Sequence, residues 1–162
     1  MVFSHMDFHR LNRLVRQNGD VKEIFFIDFD STMYAYRGFD LGAYFDNYLQ
    51  TKSLFGDDPF PEDDKIISLL EVYRQECATI KGEEYLVKKE NSIEVLLREV
   101  KVFVLFGYLI SVYFLLTICC QNPTNPKKLE FLYNAYSRTK IANDLKKRFQ
   151  EEGILPDVGI EF

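Results

Sequence analysis

The chain has 162 residues, of which 47% are hydrophobic, 15% aromatic and 28% charged, with a formal net charge of −5. That is enough apolar material to bury a core, and too much for a disordered chain. Twenty basic against twenty-five acidic residues exclude a general nucleic-acid-binding surface, and three cysteines, two of them adjacent at Cys119 and Cys120, suit neither a disulfide framework nor a zinc site. A reducing, cytoplasmic setting is expected, because His5, Asp7, His9 and Arg10 interrupt any apolar leader.

In chain order, Val2–Phe3 leads into a polar stretch that ends near Leu14–Val15. The Asn18-Gly19-Asp20 cluster reads as a turn, and the β-rich run from Glu23 to Phe29 as the second strand of a hairpin. Asp40 is placed to cap a helix running to about Gln50. Residues 55–64, with Gly56, Pro59, Pro61 and several acids, read as a loop. Ile66, Ile67, Leu69, Leu70 and Tyr73 then recur at helical spacing, predicting a helix to about Ile80. Glu83 to Lys89 reads as a short helix or loop. Asn91, with Glu94 three residues on, fits a capping box that opens a long helix ended by Pro123 and Pro126. A last helix is expected from Pro126 to Glu152, stopped by Gly153, with Leu129, Leu132, Tyr133, Tyr136, Ile141, Leu145 and Phe149 on its apolar face.

Val102 to Cys120 is a run of nineteen residues without a charge. Its length allows a membrane span; the alternative is a central helix buried on every side in a helical lobe.

The chemistry is carried by His5, Asp7 and Asn12, in the pattern H-x-D-x(4)-N, followed by Ile27-Asp28-Phe29 after the hairpin. A capped, exposed loop would account for the first motif alone, but not for an I-D-F at the end of the next strand. Phosphoryl transfer to an alcohol needs one carboxylate beside the hydroxyl and oxygen ligands for a divalent cation that neutralises the phosphates. Asp7 fits the first role and Asn12 with Asp28 the second, a donor set that suits magnesium better than zinc. His5 and His9, read instead as a metal pair, lack a third ligand.

With these motifs the sequence resembles the choline/ethanolamine kinases, within the wider group of protein-kinase-like small-molecule kinases. The resemblance rests on VFSHMDFHRLN, FFIDFD, YAYRGFDLGAYF and LEFLYNAYSR, in that order over about residues 2 to 150. Tyr36-Arg37-Gly38-Phe39-Asp40-Leu41-Gly42 is the most distinctive block. The resemblance implies a mainly α fold with a small β-hairpin (α+β), the helical C-terminal lobe of a protein-kinase-like domain that begins at its catalytic loop. The chain is then one domain, with a catalytic-loop hairpin over 1–30, a helical part over 40–152 and a tail over 153–162. Met1 lies four residues before His5, and the eight glycines are scattered, so the N-terminal lobe with its glycine-rich phosphate cover is expected to be absent.

By the same resemblance Asp7 is the base for the hydroxyl of choline or ethanolamine, and His5 braces its loop. Asn12 and Asp28 hold Mg2+, ATP is the phosphoryl donor, and no residue is assigned to its recognition. Asp30 stands where the family has a nearby glutamate, and His9, Asn47 and Phe114 lie on the substrate side. Asp40 caps its helix and ties down the catalytic loop. Tyr133 and Tyr136 match aromatic residues that enclose a quaternary ammonium, with core packing as the alternative. The family carries two tryptophans on its long penultimate helix, where Ser111 and Phe114 stand here, and an acid facing the ammonium, where Asn47 stands. Loss of that carboxylate and of one indole would each weaken cation binding by roughly 1–2 kcal/mol. The expected activity is phosphorylation of choline or ethanolamine in phospholipid biosynthesis, without nucleic acid or stable membrane insertion and with self-association open. The alternative is an inactive remnant that binds a partner, such as a full-length relative, through an uncovered apolar face.

Overall fold

Short extended pieces come first because β-branched and aromatic residues are concentrated there, and the computed structural model describes residues 1–48 and 60–157. Strand β1 (Val2–Ser4) pairs antiparallel with β4 (Met33–Ala35), Val2 lying opposite Ala35. Between them, β2 (Arg13–Asn18) and β3 (Val21–Phe26) form a hairpin with Arg13 opposite Phe26. The strand expected over 23–29 is thus shifted to 21–26, because Asp28 takes φ +65° and leaves the extended region. The β1–β4 pair was not foreseen, since three-residue strands are too short to show alternation.

The helices follow: α1 (Gly38–Asp46), α2 (Asp63–Lys81), α3 (Glu84–Val87), α4 (Ile93–Gln121) and α5 (Lys128–Glu151). Two expected caps are corrected. Asp40 lies inside the first turn of α1, and its carboxylate turns to the loop at His5 and Met6 instead of capping its own helix. Ser92, not Asn91, caps α4, its Oγ accepting from Val95 N at 3.3 Å. Asn91 is buried, donating to Tyr85 O and accepting from the Arg37 guanidinium, which also grips Glu99 with two nitrogens at 2.7 and 2.9 Å. Helix α1 ends at Asp46, short of the expected Gln50, and most of the loop expected over 55–64 lies outside the described residues.

The core gathers Leu41 and Phe45 of α1, Ile66 and Leu70 of α2, Leu96, Val100, Val104 and Tyr108 of α4, and Ala142, Leu145 and Phe149 of α5. Helices α1 and α4 approach closely enough that a Cβ on Gly42 would stand 2.7 Å from the backbone of Phe103. Lys101 is 1% exposed; its Nζ donates to Asp63 Oδ2 at 2.7 Å and Glu152 Oε2 at 2.6 Å and lies 5.5 Å from the centre of the Phe149 ring. One cation thereby ties α4 to the starts and ends of its neighbours.

Two expected faces are corrected. Helix α4 is not buried on every side: only 17% of its most apolar stretch is buried, and Ile110, Tyr113 and Phe114 are exposed. Its length and composition suffice to cross a membrane. On α5, Leu129, Tyr133 and Tyr136 are exposed, and the buried stripe is Ala135, Arg138, Ala142, Leu145 and Phe149. The stripe keeps the 3–4 spacing of a packed helix, but a buried arginine within it hides the pattern from a hydrophobicity reading.

Gly42→Ala is expected to cost about 1–3 kcal/mol in urea unfolding, because the extra methyl meets backbone instead of a yielding side-chain end. Lys101→Met is expected to cost about 1–3 kcal/mol at pH 7, since Asp63 and Glu152 lose their cation while partly in water. Burial works to raise the Glu152 pKa, but hydrogen bonds from Lys101 and Arg148 outweigh it and hold the carboxyl below its ordinary range. Its contribution is therefore present above the ordinary glutamate pKa and lost as pH falls through the lowered one. The penalty of Lys101→Met should shrink on acidification below about pH 4.

Candidate active site

Immediately after β1 the chain must turn, and Met6 does so at φ +66°, an uncommon conformation for a residue with a side chain. The Asp40 carboxylate holds it there, Oδ2 accepting from His5 N at 2.7 Å and Oδ1 from Met6 N at 2.8 Å. The His5 ring reaches across to the end of β3, with Nε2 2.9 Å from Ile27 O. A carbonyl only accepts, so Nε2 carries the hydrogen. The ring packs 4.8 Å from Phe29 and 6.2 Å from Phe8, and buried Nδ1 has no hydrogen-bond partner among the described residues.

Asp7 follows, its side chain 47% exposed. Asn12 Nδ2 donates to Asp7 Oδ2 at 2.8 Å and to the Asp7 carbonyl at 3.0 Å. His9 Nδ1 accepts from Leu11 N at 3.1 Å, which leaves Nε2 as the protonated nitrogen, 3.3 Å from Asp7 Oδ1. Both carboxylate oxygens therefore face donors, while the group stays open to a ligand.

Asn12 is buried, and its carbonyl accepts from Ile27 N at 3.0 Å, which brings the start of the Asp28 turn beside it. The amide nitrogen of Asn12 is taken by Asp7, so Oδ1 is the atom left to meet a cation. Asp28 is exposed, at φ +65°. No group of three His, Cys, Asp or Glu among the described residues is arranged to hold a metal. A single amide oxygen and a single carboxylate fit magnesium, which keeps several waters and takes further ligands from phosphates.

A cavity of about 320 Å³ opens beside Asp7 and His9, with Asn47 from the end of α1 and Ser111 and Phe114 from α4 in its wall. Leu115 and Ile118 of α4, with Phe131 and Arg138 of α5, complete it. The structure thus brings Asp7, His9, Asn47 and Phe114 together. Asp30 is exposed in the turn after β3, and Tyr133 and Tyr136 are 55% and 69% exposed; none of the three lines this cavity. Arg138 and Phe131 were missed from the sequence. Their signal was the 3–4 stripe of α5, which aims them inward where Tyr133 and Tyr136 point out.

Behind the wall, Asp46 is 5% exposed and packs against Gly107 of α4, where a Cβ would collide with its carboxylate. Burial pushes the Asp46 carboxyl up to about 7, against the pull of Arg138 and of a hydrogen bond from Asn47, with the Asp7 charge adding to the rise. Arg138 is 1% exposed, its guanidinium carbon 5.5 Å from the centre of the Tyr108 ring; burial lowers its pKa and Asp46 opposes this.

A carboxyl with a raised folded pKa binds its proton more tightly in the folded state. Stability should therefore fall as pH rises from about 4 to about 7, by a few kcal/mol at most, at about 1.4 kcal/mol per pK unit. Urea unfolding of Asp46→Asn between pH 5 and 8 should show a flatter profile than the wild type, with the largest difference at pH 8.

Among comparisons with known proteins, residues 1–143 match the family model described as choline/ethanolamine kinase. No curated protein and no solved structure matches the chain.

Proposed function

The chain belongs to the choline/ethanolamine kinase family, and on that premise we propose that it forms the base- and metal-bearing lobe of a protein-kinase-like phosphotransferase, acting in the cytoplasm on a small alcohol with ATP as donor. The observation that carries this reading is the paired restraint of Asp7 by Asn12 and His9, beside a cavity large enough for a small substrate. The alcohol oxygen bonds to the γ-phosphorus of ATP, and the bond from that phosphorus to the β–γ bridging oxygen breaks. ADP leaves with the electron pair, and the hydroxyl proton passes to Asp7.

Asp7 lines the cavity, where an alcohol seated against Phe114 and Phe131 would present its hydroxyl to it. His9 and Asn12 keep the carboxylate from turning away. His5 acts through position, fastening the loop to the strand end that leads to Asp28. Asn12 and Asp28 are the residues that would hold magnesium, which supplies charge neutralisation on the phosphates when bound. Helix α4 serves in this reading as a lobe helix, because Lys101, Val104 and Tyr108 are buried against other elements.

A second reading is a non-catalytic chain that binds a partner. It is favoured by the exposed apolar side chains of the first lobe segment, including Phe3, Val15, Ile24 and Phe25.

Transfer of labelled γ-phosphate to choline or ethanolamine should be detectable above the Asp7→Asn control, which is expected to be slower by about 10²- to 10⁴-fold. Equal background from both proteins would leave the partner-binding reading. Recovery of the chain in the soluble fraction after alkaline carbonate extraction is expected; retention in the pellet would contradict the lobe-helix role of α4.

A further inference from the structure

Gly38 and Gly42 lie so near α4 that a Cβ on the first would collide with the Phe103 ring and one on the second with the Phe103 backbone. Apolar packing of this kind is non-directional: it sets how close α1 lies to α4, not where along α4 its first turn stops. The directional restraint comes from Arg37, the residue before α1. A guanidinium has five N–H donors in a fixed fork, and here each of the five has an acceptor. Nε and Nη2 grip the two carboxylate oxygens of Glu99 at 2.7 and 2.9 Å. Nη1 donates to Asn91 Oδ1 at 2.7 Å and to the Tyr85 hydroxyl at 3.2 Å, and Nη2 donates also to the Glu90 carbonyl. The acceptors belong to α3, to the turn before α4 and to α4 itself, so one side chain fixes the start of α1 from three sides.

Asp40 follows three residues later, in the first turn of α1, and moves with it. Its bonds from His5 N and Met6 N are 2.7 and 2.8 Å long. A shift of that turn by about 1 Å along α4 would carry both beyond about 3.5 Å, where a hydrogen bond is lost. Met6 would then leave its left-handed conformation, and Asp7 would turn with it. Arg37 does not line the cavity beside Asp7, so its reach to that carboxylate runs through Asp40 alone.

We propose that Arg37 is a positioning residue for Asp7: it sets the first turn of α1 so that Asp40 can hold the loop that presents the carboxylate. The inference rests on the phosphotransferase reading for what Asp7 does, and it adds a residue that the cavity does not contain. Lysine cannot replace Arg37, because an ammonium is a compact donor without the fork that Glu99, Asn91 and Tyr85 require.

Native-state amide exchange by NMR on Arg37→Lys is the test. His5 and Met6 are expected to exchange at least tenfold faster than in the wild type, and by a larger factor than the core amides of α2 and α5. Lys101→Met, destabilised at a distant contact, should show no such selective rise. In Arg37→Lys/Asp40→Asn, exchange of His5 and Met6 should be no faster than in Asp40→Asn alone, as required of two residues on one path. If Arg37→Lys does not fold, Glu99→Gln serves in its place, with an expected selective rise of about threefold at the same two amides. Where phosphoryl transfer to choline or ethanolamine is measurable, Arg37→Lys should lower kcat about tenfold and leave KM within about twofold of the wild type, because Arg37 makes no contact with the cavity. Unchanged exchange at His5 and Met6, a rise shared equally by the core amides, additive effects in the double variant, or a wild-type kcat would each overturn the assignment. A wild type without transfer to any amino alcohol would fail the kinase reading, while the exchange data still decide whether Arg37 positions the loop.

Discussion

The Asp40 carboxylate accepts the backbone N–H groups of His5 and Met6 from a helix thirty-odd residues further along the chain. Everything at the candidate site depends on that clamp. Met6 sits in the left-handed region, which costs of order 1–3 kcal/mol for a residue with a side chain. Two hydrogen bonds to a charged acceptor, each contributing about 1.5–3 kcal/mol, are enough to offset it. With Met6 fixed, the next residue is aimed out of the loop into the cavity, and that residue is Asp7. Asp40 does not cap α1: it lies inside the first turn, and its carboxylate turns to the loop.

From Asp40 the same helix leads to the other side of the cavity. Helix α1 carries Asp40 in its first turn and Asp46 in its last, with Gly42 between them against the α4 backbone. That small residue lets α1 lie close to α4, and Gly107 makes room for Asp46. Asp46 in turn faces Arg138 of α5. Loop, α1, α4 and α5 are therefore one mechanical unit, in which the presentation of Asp7 and the charge of the cavity wall are set by opposite ends of a nine-residue helix.

Much of this was legible in the sequence, for physical reasons. The H-x-D-x(4)-N and I-D-F motifs are local and dense, so Asp7, Asn12 and Asp28 could be named from spacing alone, and the structure sets Asn12 against both Asp7 and Ile27. The hairpin was readable from its turn residues, and the helices from their periodicity. What was not readable lies where polar residues are buried. Lys101 and Arg138 occupy core positions that a hydrophobicity pattern assigns to the surface, and their partners are distant in sequence. The same blindness put Tyr133 and Tyr136 in the wrong place: an aromatic stripe looks buried until a neighbouring arginine is seen to take the inner face. Asn91 failed as a cap because its side chain is needed by Arg37 and Tyr85, a demand no local window contains.

The central claim is that Asp40 fixes the backbone that presents Asp7. Amide hydrogen exchange of His5 and Met6, resolved by NMR in the wild type and in Asp40→Ala, tests it most directly. The clamp predicts that both amides are protected in the wild type and exchange at least tenfold faster in the variant, while the amides of α4 are unchanged. Equal exchange of His5 and Met6 in the two proteins would contradict it.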